Sequence, residues 1–514
     1  MIHRWLPLVS LVFLALATGA SAAPRPPVVS KPVPYDSVVP AVASAVPAPG
    51  VTYEIAAATT IYGADAGVRD LLARQLRRAT GFTLPVAPTP AAGIALLLSG
   101  SFGDEGYQLD VTAGGITIRA SAAAGLFNGV QTLRQLLPPS IEASGRQPGP
   151  WPVQGGRITD HPRFAYRGAM LDVARHFFPV AVVERYIDEI SSYKINHLHL
   201  HLSDDQGWRI AVESWPRLAT FGGRSAVDGD PGGYYTKADY QAVVAYAVAR
   251  NVTVVPEIDM PGHVTAALAA YPELTCDGRS PPLYTGTEVG FSSLCTRAST
   301  ETFVRDVLTE LAALTPGPYL HIGGDETEST KPADYAAFMD RAQRIVADLG
   351  KTPMAWHEVV NAPLQPGAVA QYWGTTREHP ALAASTAKVI LSPAGRAYLD
   401  MKYDSGTGLG ATWAGTIEAD AAYDWNPGRY LDGVDESRVL GVEAPLWTET
   451  ITTIGDIEHM AFPRLPAIAE LGWSPWSTHD WPAFSRRLAA QGPRWHTLGL
   501  DYHQSPQVPW PPGS

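Results

Sequence analysis

Eight short apolar runs alternate with helical stretches along most of the chain, and this alternation limits the possible folds more than any other feature. The predicted strands cover residues 167–173, 195–201, 252–259, 319–325, 353–358, 368–373, 388–392 and 439–447. The predicted helices cover residues 180–193, 237–250, 300–314, 333–349, 381–387 and about 457–471. This pattern predicts an α/β protein with a (β/α)8 TIM barrel, with a doubly wound sheet as the alternative. The barrel is favoured because polar and aromatic residues follow nearly all eight strands, and only a closed ring brings those strand ends together.

A smaller unit precedes the barrel. Residues 51–155 contain strand-like runs at 51–57 and 94–99, a hairpin pattern over 107–120, and helical patterns at 67–80 and 121–137. No catalytic groups cluster there, so we predict a small supporting α/β domain over 51–155 and a catalytic barrel domain over 156–505. Residues 23–50 are rich in Pro, Ala, Val and Ser, which is typical of a linker or tail.

The first residues have the features of a secretory signal. Arg4 supplies the positive start, residues 6–17 form an apolar core, and Ala20, Ser21 and Ala22 form a small-residue cleavage site. The core is short for a membrane span of about 20 residues. We therefore predict a signal peptide over 1–22, rather than an anchor, and a protein secreted to the periplasm or the extracellular space.

Charge and cysteine content limit the possible partners. The 38 basic and 50 acidic residues give a formal net charge of −12, which disfavours nucleic acid and suits a neutral ligand. In an oxidising compartment Cys276 and Cys295 are expected to form a disulfide, worth about 3 kcal/mol. Free thiols and half a metal site are the alternatives, but the sequence has no CxxC pair. We expect no cofactor and no membrane partner.

The stretch at residues 319–326, YLHIGGDE, joins a predicted strand to paired carboxylates. Gly323 and Gly324 permit backbone angles and close approaches that other residues do not. Asp325 and Glu326 follow at the carboxyl end of the strand, where barrels build their sites. Adjacent carboxylates in a pocket are costly unless they react or have cationic partners, so we predict a catalytic pair. A capping Asp beside a solvated Glu is the alternative.

Other predicted strand ends supply groups suited to a sugar. The aromatic candidates are Trp356, Trp373, Tyr398 and Trp447, and the polar candidates are Arg167, Asp259, His263, Asp400 and Glu449. Flat apolar faces pack on the C–H faces of a sugar ring, while carboxylates and arginine bind its hydroxyl groups. The set therefore predicts a pocket for a neutral, polar, ring-shaped ligand.

Three histidines alternate along the second barrel strand. His197, His199 and His201 share one strand face, which could hold a zinc ion. The neighbouring strand ends offer a poor set of further ligands, so we favour histidines that are hydrogen-bonded within the barrel interior and expect no metal.

Taken together, the motifs RGAMLDVARHFFP, NHLHLHLSDDQGWR, PEIDMPGH, HIGGDE, AWHE, YLD and LWTE resemble glycoside hydrolase family 20, the β-N-acetylhexosaminidases, in their secreted bacterial form. The resemblance covers about residues 162–495, and the domain before it is similar to the small domain that precedes the barrel in this family. It implies that Glu326 is the general acid/base and that Asp325 holds and polarises the substrate's 2-acetamido group. The other implied roles are Tyr398 as donor to the acetamide oxygen, Asp204 and His263 as a pair behind Glu326, Arg167, Asp400 and Glu449 as hydroxyl-binding groups, and Trp356, Trp373 and Trp447 as pocket walls. We expect Asp259 to bind substrate as well.

The implied reaction is exo-acting, retaining hydrolysis of terminal N-acetylglucosamine or N-acetylgalactosamine from chitooligosaccharides and glycans, as in chitin degradation. Most retaining glycosidases place a nucleophile about 5 Å from the acid, across the scissile bond. The neighbours Asp325 and Glu326 cannot easily flank a sugar in this way. The resemblance therefore implies that the substrate's own acetamide attacks and forms an oxazolinium ion. A sugar-binding protein that has lost catalysis and a zinc hydrolase built on the histidine strand are the other hypotheses.

Overall fold

The structure is a computed structural model that describes residues 31–90 and 92–512. The predicted signal peptide lies outside the described residues. Within the described part of the chain, no helix combines the length and the apolar character that crossing a bilayer requires.

The amino-terminal domain is built on a six-stranded mixed sheet. Its strands are β1 (Ser44–Glu54), β2 (Thr60–Gly63), β3 (Gly93–Leu98), β4 (Tyr107–Thr112), β5 (Gly115–Ala120) and β6 (Pro152–Asp160). They lie in the order β1-β6-β4-β5-β3-β2. The predicted hairpin is β4 paired antiparallel with β5. The helices α1 (Ala66–Thr80) and α2 (Ala123–Gln135) cover the sheet with Leu72, Leu76, Leu126 and Leu133, all fully buried.

A closed barrel of eight parallel strands follows, as predicted, and the doubly wound alternative is wrong. Its strands are β7 (Tyr166–Asp172), β8 (His197–His201), β9 (Thr253–Glu257), β10 (Tyr319–His321), β11 (Thr352–Trp356), β12 (Val369–Tyr372), β13 (Lys388–Leu391) and β14 (Val439–Leu446). Each strand pairs with its neighbour in sequence, and β14 closes the ring on β7. Closure brings all eight carboxyl ends to one face.

Helices surround the barrel and shape its two ends. They are α3 (Val180–Ser192), α4 (Arg217–Thr220), α5 (Lys237–Val248), α6 (Thr265–Ala270), α7 (Ala298–Leu314), α8 (Pro332–Asp348), α9 (Pro380–Ala384), α10 (Ala394–Ala397), α11 (Ala419–Tyr423), α12 (Ile454–Ala461), α13 (Arg464–Trp473) and α14 (Trp481–Leu498). The single helix predicted over 457–471 is two helices, α12 and α13. Pro463 separates them because proline lacks the N–H that would continue α12.

The domain boundaries differ from those predicted. Residues 44–50, expected in a linker, form the first part of β1, which pairs with β6. Tyr35 and Val38, also in that segment, are buried in the core of the small domain. Strand β6 runs across the predicted boundary at 155/156 and belongs to the small sheet. Beyond residue 505, Val508 is buried against the barrel core. Composition rich in Pro and Ala therefore concealed an edge strand, a place where proline is tolerated.

Candidate active site

The loop after β10 holds the predicted carboxylate pair. The strand ends at His321, and Gly323 and Gly324 take φ angles of 66° and 99°. A Cβ atom on Gly323 would lie 1.6 Å from Asp259 Oδ1, so no larger residue fits there. Glu326 also has a positive φ, 45°, a strained conformation that often marks a functional position. The loop thus fixes a buried Asp325 beside a half-buried Glu326.

Asp259 lies against Asp325 and not where a substrate could reach it, so the predicted substrate-binding role is wrong. Asp259 is 1% exposed, and its Oδ1 accepts a hydrogen bond from Gly324 N at 3.1 Å. Asp259 Oδ2 and Asp325 Oδ1 are both buried without another partner among the described residues. Burial and the Asp325 charge raise the pKa of Asp259 well above its ordinary value. A neutral Asp259 can therefore donate its proton to the Asp325 carboxylate.

Asp204 and His263 lie in a row behind Glu326. His263 Nδ1 is 3.2 Å from Asp204 Oδ1, and His263 Nε2 is 3.4 Å from Glu326 Oε2. His263 Nε2 also lies 3.8 Å from Asp325 Oδ2. Burial opposes a charge on His263, but Asp204 and Asp325 outweigh it and raise its pKa well above the ordinary value. A single imidazolium can thus face both members of the pair.

Arg167 is not a substrate-binding residue. It stands near the amino end of β7, opposite the site, with no exposed surface. Its Nη2 lies 2.5 Å from Glu105 Oε1 of the small domain, and its Nε donates to Lys194 O at 2.8 Å. Its guanidinium also lies 5.0 Å from the Trp473 ring centroid. Arg167 therefore joins the two domains.

We expect Arg167→Met to lower the free energy of unfolding by about 3–5 kcal/mol, because Glu105 and several carbonyl groups lose their buried cation. Turnover per folded molecule should stay within about twofold, since the residue is far from the site. Chemical denaturation and active-site kinetics measure both quantities. Arg344→Met, which removes a side chain 61% exposed beside Asp340, is the control and should cost less than about 1 kcal/mol. Loss of activity without loss of stability in Arg167→Met would contradict this structural role and support a role in substrate binding.

The arginine at the mouth of the site is Arg175, which the sequence argument passed over. It lies just beyond β7, with Nη2 2.9 Å from Asp204 Oδ2 and its guanidinium 4.7 Å from the Trp447 ring centroid. Its Nε and Nη1 are buried and make no hydrogen bond to any described residue. Nη1 lies 3.5 Å from Asp172 Oδ2, so Nε is the donor without a partner among the described residues, and a fixed guanidinium donor at a pocket suits a sugar hydroxyl group. The sequence did contain a signal for this role, because Arg175 follows the predicted strand whereas Arg167 begins it.

Aromatic rings surround the site. Trp373, Trp447 and Tyr398 lie around it, with the Tyr398 and Trp447 ring centroids 6.3 Å apart. Trp356 is fully buried, its ring 5.8 Å from that of Trp447, so it supports the pocket from beneath. Sequence reasoning missed Trp413, which is 57% exposed and lies 6.0 Å from Trp373 and 5.8 Å from Tyr398. It extends the aromatic surface outward from the pocket.

Three further carboxyl groups of the site, those of Asp400, Glu449 and Glu358, are in surroundings that disfavour their charged forms. Burial and the Glu449 charge raise the pKa of Asp400 well above its ordinary value, and burial raises that of Glu449. Glu358, which was not predicted, accepts hydrogen bonds from Trp373 Nε1 at 3.1 and 3.2 Å. Burial, with the charge of Asp325, raises the pKa of Glu358 to about 8. Burial, Asp400 and Asp325 raise the pKa of Tyr398 well above its ordinary value, which keeps its hydroxyl a donor.

The histidines of β8 are hydrogen-bonded as expected. His199 and His201 are fully buried and contact Glu257, and His199 also contacts Glu443. His197 stacks on Tyr166 at 4.0 Å between centroids.

The predicted disulfide is present, with the Cys276 and Cys295 sulfur atoms 2.02 Å apart. It closes a loop whose Leu294 N donates to Pro261 O at 2.9 Å, next to the site.

Comparison with known proteins agrees with this geometry. The family model described as glycosyl hydrolase family 20, catalytic domain, matches residues 164–476, and the model for domain 2 of the same family matches residues 35–161. A β-N-acetylhexosaminidase of Cellulomonas fimi is 46% identical over 417 residues, which are 80% of this chain and 83% of that protein.

Two solved structures are closely similar. The family 20 β-N-acetylhexosaminidase of Streptomyces coelicolor A3(2) has a TM-score of 0.92 at 56% identity and covers 94% of this chain and 100% of its own. The N-acetyl-β-hexosaminidase of Streptomyces plicatus, solved with Thio-NAglucal, has a TM-score of 0.92 at 57% identity and covers 94% and 99%.

Proposed function

The chain belongs to glycosyl hydrolase family 20 and is a β-N-acetylhexosaminidase, and from this premise we propose that it removes terminal N-acetylhexosamine units with retention, using the substrate's acetamide as nucleophile. The observation that carries the proposal is the adjacent pair on the β10 loop. Asp325 is buried against Asp259, whereas the Glu326 side chain is 31% exposed and faces His263. Neighbours held in such different surroundings suit two different tasks at one sugar.

The reaction follows from these positions. The acetamide oxygen attacks the anomeric carbon while the bond to the leaving oxygen breaks, and Glu326 gives its proton to that oxygen. Asp325 balances the positive charge that grows on the acetamide nitrogen, and Tyr398 donates to the acetamide oxygen. In the second step Glu326 takes a proton from water, which attacks the anomeric carbon of the oxazolinium ion and restores the acetamide.

Exo-action is supported by what lies beneath the pocket. The barrel interior under Asp325 is filled by His199, Glu257 and Glu443, all without exposed surface. The pocket therefore has a closed floor, and a closed floor supports the binding of a terminal ring. Arg175, whose Nε makes no hydrogen bond to a described residue, suits that ring's hydroxyl groups. Oligosaccharides of chitin and other glycans that end in N-acetylglucosamine or N-acetylgalactosamine are the proposed substrates.

We also propose that the mature protein is exported and starts at Ala23. The signal-like pattern over residues 1–22 and the disulfide between Cys276 and Cys295, which suits an oxidising compartment, support this. Amino-terminal sequencing of protein recovered outside the cytoplasm tests it.

The test of the function is a comparison of aryl β-glycosides of N-acetylglucosamine, N-acetylgalactosamine and glucose. We expect turnover of at least one N-acetyl substrate and little turnover of the glucoside, which lacks the internal nucleophile. Proton NMR of the first product should show the β anomer. Efficient cleavage of the glucoside, or an α-configured product, would exclude the proposed mechanism.

The acid limb of the pH profile should report on Asp325. Burial raises the pKa of Asp325 to about 6, although His263 opposes this shift. Asp325 must be ionised to balance the developing cation, so kcat/KM should fall as the pH decreases through about 6. The measurement is kcat/KM from pH 4 to pH 8, with Asp325→Asn as the control that lacks this group. A limb near pH 4 would contradict the assignment.

A further inference from the structure

Glu257 is a buried carboxylate that connects four side chains at the centre of the barrel. It is the last residue of β9 and has no exposed surface. Its Oε2 contacts His201 Nδ1 and lies 3.0 Å from His199 Nε2. Its Oε1 lies 2.8 Å from His321 Nδ1 and accepts a hydrogen bond from Trp356 Nε1 at 2.9 Å. Each oxygen of this carboxylate therefore faces two nitrogen atoms.

One branch of this network leads to the proposed acid/base. His201 Nε2 lies 2.8 Å from Asp204 Oδ2, and the other oxygen of Asp204 lies 3.2 Å from His263 Nδ1. His263 Nε2 in turn lies 3.4 Å from Glu326 Oε2. Apart from Glu326, every member of the branch is at most 3% exposed, so water does not compete for these contacts.

We propose that Glu257 is a positioning residue for the reaction, which holds His201 and, through Asp204 and His263, orients the proton-transfer group Glu326. This inference rests on the proposed function, since it assumes that Glu326 transfers the proton. Glu257 itself does not reach the substrate.

The direction of the hydrogen bonds explains how Glu257 acts. An ionised Glu257 can only accept, so His201 Nδ1 carries a proton, and His201 Nε2 can then donate to Asp204. A ring that donates from both nitrogens is a charged imidazolium. Burial opposes the positive charge on His201, but Glu257 and Asp204 outweigh burial and raise the pKa of His201 well above the ordinary value. Asp204 is thereby held with its second oxygen toward His263. Without the Glu257 charge, His201 loses one acceptor and Asp204 loses a fixed donor.

The other charged groups that face this branch come from several elements. They are Arg175, Asp259, Asp325, His199, His321 and Glu449. The charge of Glu257 contributes to the raised pKa of Asp325, after burial and the Glu326 charge. Its loss should therefore let Asp325 ionise at lower pH.

Glu443 provides a matched control. It is a second fully buried carboxylate of the barrel interior, and its Oε1 lies 2.9 Å from His199 Nδ1. Its other partners are the Tyr166 hydroxyl at 2.6 Å and Gln371 Nε2 at 2.7 Å. None of its contacts among the described residues reaches His201 or Asp204. Both carboxylates contact the His199 imidazole, but only Glu257 also contacts His201, the first member of the branch that leads to Glu326.

The experiment compares Glu257→Gln with Glu443→Gln on an aryl N-acetyl-β-glucosaminide. For Glu257→Gln we expect kcat to fall about tenfold or more, KM to stay within about twofold, and the acid limb of the pH profile to move below about 6. Glu443→Gln should retain the wild-type kcat per folded molecule and the wild-type pH profile, although both variants lose stability. Glu257→Asp should recover part of the lost kcat. Equal kcat and equal pH profiles in the two Gln variants would overturn the proposal.

A second variant covers the case in which Glu257→Gln does not fold. His201→Gln keeps one amide donor but cannot join Glu257 to Asp204, and it should lower kcat in the same way at unchanged KM. Wild-type kcat in His201→Gln would overturn the inference. Glu326→Gln separates this from a failure of the function itself, since wild-type turnover in that variant would remove the acid/base that Glu257 is proposed to orient.

Discussion

We expect Glu326→Gln to lower kcat/KM on an aryl N-acetyl-β-glucosaminide by at least about 10²-fold. The amide has nearly the same shape as the carboxyl group but can neither give a proton to the leaving oxygen nor take one from water. The side chain is 31% exposed, so the substitution leaves no deeply buried charge without a partner. The midpoint of thermal unfolding should therefore stay close to that of the wild type, and the loss is one of chemistry.

The size of the loss should depend on the leaving group. A nitrophenol departs with little protonation, whereas the hydroxyl group of a sugar needs a full proton. Chitobiose hydrolysis should thus suffer more than nitrophenyl release, and the ratio of the two losses measures acid catalysis. Glu328→Gln is the control, because Glu328 is an exposed carboxylate two residues further along the same loop. If Glu326→Gln and Glu328→Gln behaved alike on both substrates, Glu326 would not be the acid.

The barrel could be predicted because its signal is repeated. Eight apolar runs each carry a strand, and the one-sided burial of the intervening helices reinforces the pattern. The elements that escaped prediction carry weak local signals. Strand β1 contains Pro47 and Gly50 and is mostly exposed, so its sequence looks like that of a linker. It is a strand because β6 offers it a free edge, and the paired residues of β6 lie roughly 100 residues further along the chain.

The candidate site was predicted best where the chemistry lies in consecutive residues. Asp325 and Glu326 stand at the end of a strand, and the two glycines before them have no other evident use. Asp259 was misassigned because whether a strand-end carboxylate faces the substrate or another carboxylate depends on side-chain direction, which spacing alone does not give. For Arg167 and Arg175, by contrast, the sequence contained enough information to tell the two roles apart. The rule that barrel sites form at the carboxyl ends of strands already favours Arg175, and Arg167 at the amino end serves stability.

Asp325→Asn should lower kcat on N-acetyl substrates by about 10²- to 10³-fold, the range for removing one electrostatic stabiliser of a transition state. Asp325 is buried, so its charge acts on the acetamide nitrogen without much screening by water. A neutral amide cannot balance the cation that forms as the oxygen attacks. It also removes the acceptor that Asp259 faces, so stability has to be measured beside kcat. Asp340→Asn, on the partly exposed side of α8, is the control and should leave kcat unchanged.

The substrate's acyl group then distinguishes an acetamide nucleophile from a protein nucleophile. Replacing N-acetyl by N-fluoroacetyl and N-trifluoroacetyl weakens the oxygen that attacks, so the wild-type kcat should fall stepwise along this series. In Asp325→Asn the loss relative to wild type should be largest for N-acetyl, because the reaction through the strongest internal nucleophile places the most positive charge on nitrogen. A wild-type rate that does not respond to fluorination would mean that a protein carboxylate attacks instead. Glu358, a carboxyl group of the site that accepts a hydrogen bond from Trp373 Nε1, would then be the first residue to test.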